Sequence, residues 1–284
     1  LIAAIAYGLI SILVFLVIRP RRRALLVFVV FFAIVLVWWF TIPPRNDRDW
    51  QPDVAVLPYA TINGNMITIH NIRNCDYRTE TDYTVRHYDK TFDLAKLQSA
   101  DLFLVYWGSP YIAHTMFSFG FGDGNFVCIS IETRKEKGEA YSAIKGFFKQ
   151  YELTYVVADE RDLIRLRTNY RHEDVYLYRL KANPDAIRKV FLDYLQEINR
   201  LKDTPEWYNA LTTNCTTSIL TLIHAFGGEI RYSWKILLSG YTAEYAYELG
   251  RLDSSMPFPE LRKQSSINPR AHAVGNDENF SLKI

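Results

Sequence analysis

Two uncharged apolar stretches at the N-terminus constrain this chain more than anything else in it. Residues 1–18 carry no charged side chain, and residues 24–42 form a second such stretch. A helix rises about 1.5 Å per residue, so each is about long enough to cross a hydrocarbon core of roughly 30 Å. Between them lie Arg19, Pro20, Arg21, Arg22 and Arg23. Arginines in a short loop are held on the cytoplasmic side, so the pattern predicts a transmembrane hairpin with both outer ends away from the cytosol. Trp38, Trp39 and Phe40 suit an aromatic belt, and Pro43-Pro44 ends the second helix. A cleaved signal peptide explains one such stretch, not two. A chain that opens on Leu1 is read as lacking residues before it.

The residues that follow divide into an outer domain over 45–268 and a polar, flexible tail over 269–284. The net charge is only +2, and the loop arginines supply much of it. Nothing in that balance argues for nucleic acid. No Cys/His spacing fits zinc, no glycine-rich phosphate loop appears, and no serine elbow is present, so no metal and no cofactor is expected. Of three cysteines, Cys75 and Cys128 could pair in an oxidising compartment and leave Cys215 free.

A coarse reading of the domain is α+β. Residues 66–72 alternate as a strand after the turn signal Asn63-Gly64, and residues 101–107 read as a short strand. Residues 113–121 and 126–133 form a hairpin around Gly122-Asp123-Gly124-Asn125. Residues 138–150 read as helical, while 154–158 and 174–179 read as strands. Residues 184–201 make the clearest amphipathic helix, with Ile187, Val190, Phe191, Tyr194, Leu195 and Ile198 on one face.

Cys215 stands where the polar run Thr212-Thr213-Asn214 turns into an apolar helical pattern ending at Gly227-Gly228. A cysteine in the first turn of a helix meets the positive end of the dipole, which favours the nucleophilic thiolate. The plain alternative is a small buried hydrophobe. The hairpin carries His114, and a tip at Asp123-Gly124 sets it opposite Glu132 or Thr133. A carboxylate across the ladder would hold the imidazole in one tautomer, as a general base requires. His70, His87, His172 and His224 show no comparable partner in the sequence, and His272 sits in the tail.

The segments Arg73-Asn74-Cys75-Asp76-Tyr77-Arg78, Trp107-Gly108-Ser109-Pro110, 113–119, Ser130-Ile131-Glu132-Thr133-Arg134 and Thr213-Asn214-Cys215-Thr216-Thr217 together resemble the Lnb N-terminal periplasmic domain family. That family is similar in chain order, histidine first and cysteine later, to circularly permuted papain-like enzymes such as the NlpC and lecithin retinol acyltransferase groups. The resemblance implies a permuted papain-like domain with an antiparallel sheet after the membrane hairpin. It also implies acyl transfer through a thioester, because the family is named for an enzyme that N-acylates lipoproteins with a phospholipid as donor. This chain departs from that enzyme: it is shorter, and its apolar stretches precede the domain.

Carried onto this sequence, Cys215 is the nucleophile, His114 the base, and Glu132 the orienting residue with Ser130 as runner-up. The Cys215 backbone N–H and the Asn214 side chain would hold the oxyanion. Arg78, Arg134, Trp107 and Tyr208 complete the set as substrate-binding candidates. Arg78, Arg134 and Arg167 would either meet a phosphate headgroup or pair with carboxylates. A nucleophilic Ser118 or Ser130 has no turn geometry behind it. The expected protein is an anchored acyltransferase or acyl hydrolase of the bacterial inner membrane, its domain in the periplasm and its substrate a phospholipid or lipoprotein. A cell-wall peptidase or amidase is the alternative, and a non-catalytic scaffold with envelope protein partners is the third reading.

Overall fold

The apolar N-terminus folds as two helices, α1 (Ile2–Val17) and α2 (Arg21–Thr41). They come from a computed structural model, which describes residues 2–122, 124–142, 144–209, 233–236 and 238–284. The ring of Phe28 lies 6.2 Å from Tyr7 and 6.0 Å from Phe15, and Ala24 is fully buried where the two helices pack. Most other side chains of both helices stay exposed and apolar, the pattern of a surface that meets lipid. Among the described residues α2 alone is long and apolar enough to cross a membrane. α1, an apolar helix of 16 residues, packs beside it. Chain contacts separate this unit, Leu1–Pro44, from a second unit, Arg45–Ile284.

The second unit is built on a twisted sheet. Its strands are β1 (Tyr59–Asn63), β2 (Met66–Arg73), β5 (His87–Asp93), β6 (Leu97–Tyr106), β7 (Ala113–Phe121), β8 (Phe126–Arg134), β9 (Glu152–Ala158) and β10 (Asp174–Arg179). β3 (Asp76–Tyr77) and β4 (Tyr83–Thr84) form a separate short ribbon. The sheet order is β1-β2-β9-β8-β7-β6-β10, with β5 also on β2. Among the described residues every pairing is antiparallel except β2 with β9, parallel at Arg73 and Ala158, so the sheet is mixed and not wholly antiparallel.

Side chains alternate between the two faces of each strand, and each face has its own cover. α4 (Pro184–Asp203) lies on one face. It starts where the Asn183 side chain accepts from the Ala186 N–H at 2.7 Å with Pro184 in the first turn. Its six apolar residues named from the sequence are all buried, and Phe191 meets Phe119 with ring centroids 4.9 Å apart. The other face presents Phe103, Val105, Met116, Cys128 and Val156. It is covered by α3 (Glu160–Arg165), through Leu163 and Ile164, and by the C-terminal segment.

That segment is not a flexible tail. It forms α7 (Asn268–Val274) and α8 (Phe280–Lys283), reached through α5 (Thr242–Glu248) and α6 (Phe258–Ser265). Ile267, Ala271 and Phe280 are fully buried against the sheet. The Asn268 side chain accepts from Val175 N–H at 2.8 Å and donates to Glu173 O at 2.8 Å, closing the end of β10. The sequence looked polar because three spaced apolar anchors are enough to hold it, each worth about 1–3 kcal/mol on burial.

Two further expectations change. Residues 138–150 do not form the expected helix: among the described residues the segment is irregular, with one turn of 3-10 helix at Lys145–Phe147, and Tyr141, Ile144, Phe147 and Phe148 are exposed instead of packed on a partner surface. Cys75 and Cys128 are both buried free thiols and not a disulfide: Cys128 faces the α3 side of the sheet, and Cys75 sits in a separate cluster with Tyr77 and Leu166.

Candidate active site

β7 and β8 run in a register that pairs Met116 with Ser130 and Gly120 with Phe126. One further step along that ladder brings His114 level with Glu132. Residues 114, 130 and 132 then share the face that carries Met116 and Cys128, the side covered by α3. The imidazole Nε2 of His114 lies 2.7 Å from Ser130 Oγ and 3.2 Å from Glu132 Oε1. Ser130 Oγ donates to the same Glu132 oxygen at 2.7 Å. Both residues named for the orienting role therefore act on one nitrogen, Ser130 as the nearer contact and Glu132 as the charge behind it.

A further residue completes the arrangement. α3 runs into a π turn, Leu166–Tyr170, and Arg167 in that turn donates to Glu132 Oε1 at 2.9 Å and to Glu173 Oε2 at 3.2 Å. Single π turns often accompany functional sites because they re-aim one side chain. The tail braces this turn: His272 Nε2 lies 2.7 Å from Thr168 O, and Asn169 Nδ2 donates to Ala271 O at 3.3 Å. Burial alone would raise the Glu132 carboxyl, yet the His114 imidazole, the Arg167 guanidinium and the Ser130 hydroxyl together hold it well below the usual carboxylate range. Glu132 is thus an anion throughout the neutral range, suited to holding one tautomer of the ring and to stabilising an imidazolium.

The other candidates divide. Arg78 sits on the β3–β4 ribbon, exposed and paired with Asp82, with Thr84 Oγ1 at 3.1 Å. Arg134 is buried and spent on structure: it donates to Val54 O, Asn46 Oδ1 and Ala55 O at 2.8–2.9 Å and lies 4.3 Å over the Trp50 ring. Burial lowers its guanidinium to about 10 despite Glu152 nearby. Both arginines take the pairing alternative, Arg78 with Asp82 and Arg134 with protein oxygens. Arg167 takes the pairing alternative. Tyr208 packs on the α4-side cluster, across the sheet from His114, whereas Trp107 stands exposed just beyond the end of β6. Asn214 and Cys215 lie outside the described residues. Ser118 is fully buried and hydrogen-bonds Glu160, which rules it out as an open nucleophile.

His70 has partners that the sequence did not reveal. Its Nδ1 lies 2.6 Å from Asp89 Oδ2 and its Nε2 3.2 Å from Thr61 Oγ1, on the outer strands, with the ring stacked on Tyr59. No spacing announces it, because the pairing of β1, β2 and β5 brings together residues from three separate strands.

Glu160 supplies a pH test of the fold under the site. It is buried beside Ser118 and Ser281, and burial raises its carboxyl to about 7. An unfolded glutamate titrates near 4.3, so the folded state holds the extra proton between those values. Stability from this group is therefore full below about 4.3 and declines as pH rises toward 7. Glu160→Gln should flatten that decline in thermal unfolding measured across the window. An unchanged slope would show that Glu160 ionises normally.

The family profile for the Lnb N-terminal periplasmic domain matches residues 83–240, more than half of the chain. The chain belongs to the Lnb N-terminal periplasmic domain family. The matched span holds His114, Ser130, Glu132, Arg167, Asn214 and Cys215, and leaves out Cys75 and Arg78. Comparisons with curated proteins and with solved structures return no match. Family and fold together give a periplasmic domain behind an N-terminal apolar helix, which fits a membrane-anchored protein.

Proposed function

We propose that this protein is a membrane-anchored thiol acyltransferase or acyl hydrolase acting on phospholipid or lipoprotein, with Cys215 as nucleophile and His114 as base. The observation that carries the reading is the relay His114–Ser130–Glu132–Arg167, a histidine held by a carboxylate that a buried arginine clamps, within the family's matched span. Nε2 is engaged by Ser130 and Glu132, so the reading gives the thiol proton to the other ring nitrogen, Nδ1.

The chemistry then runs in two halves. Cys215 loses its proton to Nδ1, and its sulfur bonds to the acyl carbonyl carbon. The ester C–O bond breaks, and the leaving alkoxide takes the proton back from the imidazolium. In the second half an amine or a water attacks the thioester, gives its proton to His114, and releases the thiolate. The Cys215 N–H and the Asn214 amide would stabilise the oxyanion in both halves. A permuted papain-like topology, an inner-membrane location and a cytoplasmic arginine loop belong to this reading, the first implied by the family resemblance and the other two by the charge and hydropathy pattern of the N-terminus.

Alkylation tests it. A helix N-terminus and a nearby imidazolium favour the thiolate, so Cys215 should react with iodoacetamide faster than Cys75 or Cys128 near neutral pH. Burial pushes the Cys75 thiol up to about 12 and raises Cys128 well above the usual range, so both should stay inert. His114→Ala should slow the Cys215 reaction. Equal slow rates at all three cysteines would favour the scaffold reading.

A further inference from the structure

Two connections and the entry of the chain meet at one end of the sheet. Pairing of Tyr106 with Ala113 sets the β6–β7 connection, residues 107–112, at that end. Pairing of Arg134 with Glu152 sets the β8–β9 connection, residues 135–151, beside it. His114 and Glu132 lie two residues or fewer inside the same edge. The first residues of the unit are laced to the second connection: Gln51 N–H donates to Lys135 O at 2.9 Å, Lys137 N–H to Asp49 O at 2.8 Å, and Arg45 N–H to Glu152 Oε1 at 3.2 Å. Arg48 pairs with both Glu136 at 2.7 Å and Glu152 at 2.9 Å.

Both connections expose large apolar side chains. Trp107, Tyr111 and Ile112 are 43–54% exposed in the first, and Ile144, Phe147 and Phe148 are 41–71% exposed in the second. The backbone beneath them is fixed, so these side chains are not simply uncollapsed. The buried phenol of Tyr151 donates to Ala140 O at 2.8 Å and accepts from Ser142 N–H at 3.0 Å. In the other connection Gly240 N–H donates to Tyr111 O at 2.9 Å, where any Cβ on Gly240 would strike Pro110 O at 2.2 Å. A clustered apolar surface of this kind, held outward on a rigid base, marks an interaction site.

The length of the tether identifies the occupant. α2 ends at Thr41 and the laced segment begins at Arg45. Four residues of extended chain reach at most about 14 Å, so Arg45 lies no farther than that along the chain from the end of α2. Aromatic side chains interspersed with the exposed Lys145 match the composition of a headgroup interface.

We propose that this end of the domain docks on the bilayer, with Ile144, Phe147 and Phe148 at the boundary of headgroups and acyl chains and Trp107, Tyr111 and Ile112 beside them. The proposal rests on α2 crossing the membrane, and it deepens the lipid-substrate reading by setting the His114 site at the lipid surface. A tethered site so placed meets lipid at a high effective concentration and needs no soluble carrier.

The test uses the full chain with Cys215→Ala, reconstituted in phosphatidylethanolamine–phosphatidylglycerol vesicles. An environment-sensitive fluorophore is placed singly on Ile144→Cys, Ile112→Cys, Val30→Cys in α2, or Ala95→Cys at the opposite end of the sheet. The proposal expects blue-shifted emission at 144 and 112 that is quenched by lipids carrying nitroxides on their acyl chains, with Ala95→Cys unquenched. Val30→Cys quenched while 144 and 112 stay aqueous would overturn the docking and leave the anchor intact. All positions aqueous would overturn the anchor, and the docking with it. A blue shift at 144 without nitroxide quenching would mean that protein covers the patch, a second copy or another chain, and would equally overturn the proposal.

Discussion

Asp162→Ala should destabilise the periplasmic unit by about 3–5 kcal/mol, the range found when one partner is removed from a buried ion pair. Asp162 is fully buried and accepts four hydrogen bonds: Arg73 NH2 at 2.7 Å and Tyr77 OH at 3.1 Å on Oδ1, Arg73 Nε at 3.0 Å and the Cys75 N–H at 2.7 Å on Oδ2. Burial opposes the charge on Arg73, and Asp162 outweighs it, holding that guanidinium well above its ordinary range. Alanine leaves a buried cation and an orphaned N–H at the parallel seam where Arg73 meets Ala158. The same aspartate sits on α3, so its loss also loosens the helix that runs into the turn of Arg167. For a unit of this size the loss corresponds to a fall in Tm of roughly 10 °C. Alkylation of Cys75, buried in the same cluster, gives a local readout and should rise. A change in Tm of a degree or two would mean that water or a neighbour replaces the aspartate. The paired variant Arg73→Met with Asp162→Leu should recover part of the loss, because a hydrophobic pair removes both charges together.

Legibility in this chain followed the physics of each segment. β10 matches its expected residues end to end, and α4 runs two residues past Leu201, because alternation and helical spacing there are dictated by one buried face. The β7–β8 hairpin was legible from its glycine turn, and the ladder differs by one from a register centred on Asp123-Gly124 because the connection is longer than a two-residue turn. α3 and its π turn were not legible: Glu160, Asp162, Arg165 and Arg167 look like a solvated charged run, yet all four are buried. Their partners, Ser118, Arg73 and Glu132, are distant in sequence, and no local pattern encodes such pairings. Arg134 misled in the same way, since a charge run after a strand gives no sign that its first member turns inward. Residues 138–150 misled through spacing: Tyr141, Ile144, Phe147 and Phe148 fall at helical intervals but face outward.

Loss of either member of the proposed catalytic pair should have the larger effect on activity. His114→Ala should lower kcat about a hundred- to ten-thousand-fold, the usual contribution of general acid–base catalysis. Cys215→Ala should remove turnover, and Cys215→Ser should recover little, because a serine hydroxyl, unlike a cysteine thiol, forms almost no anion near neutral pH and is the weaker nucleophile at a site built around a thiolate. Glu132→Gln keeps a hydrogen-bonding oxygen but discards the charge that Arg167 and His114 share, so it should fall between wild type and His114→Ala. These variants separate the chemical roles from folding when each is checked for unchanged Tm.

The most direct test is the intact mass of the full protein after incubation with phospholipid vesicles. The account predicts an added acyl mass on the wild-type chain, lost on treatment with hydroxylamine, as a thioester requires. It predicts no adduct on Cys215→Ala and a strongly reduced one on His114→Ala. Cys215→Ala that still carries the adduct, or that retains full function in cells, would contradict the thiol mechanism.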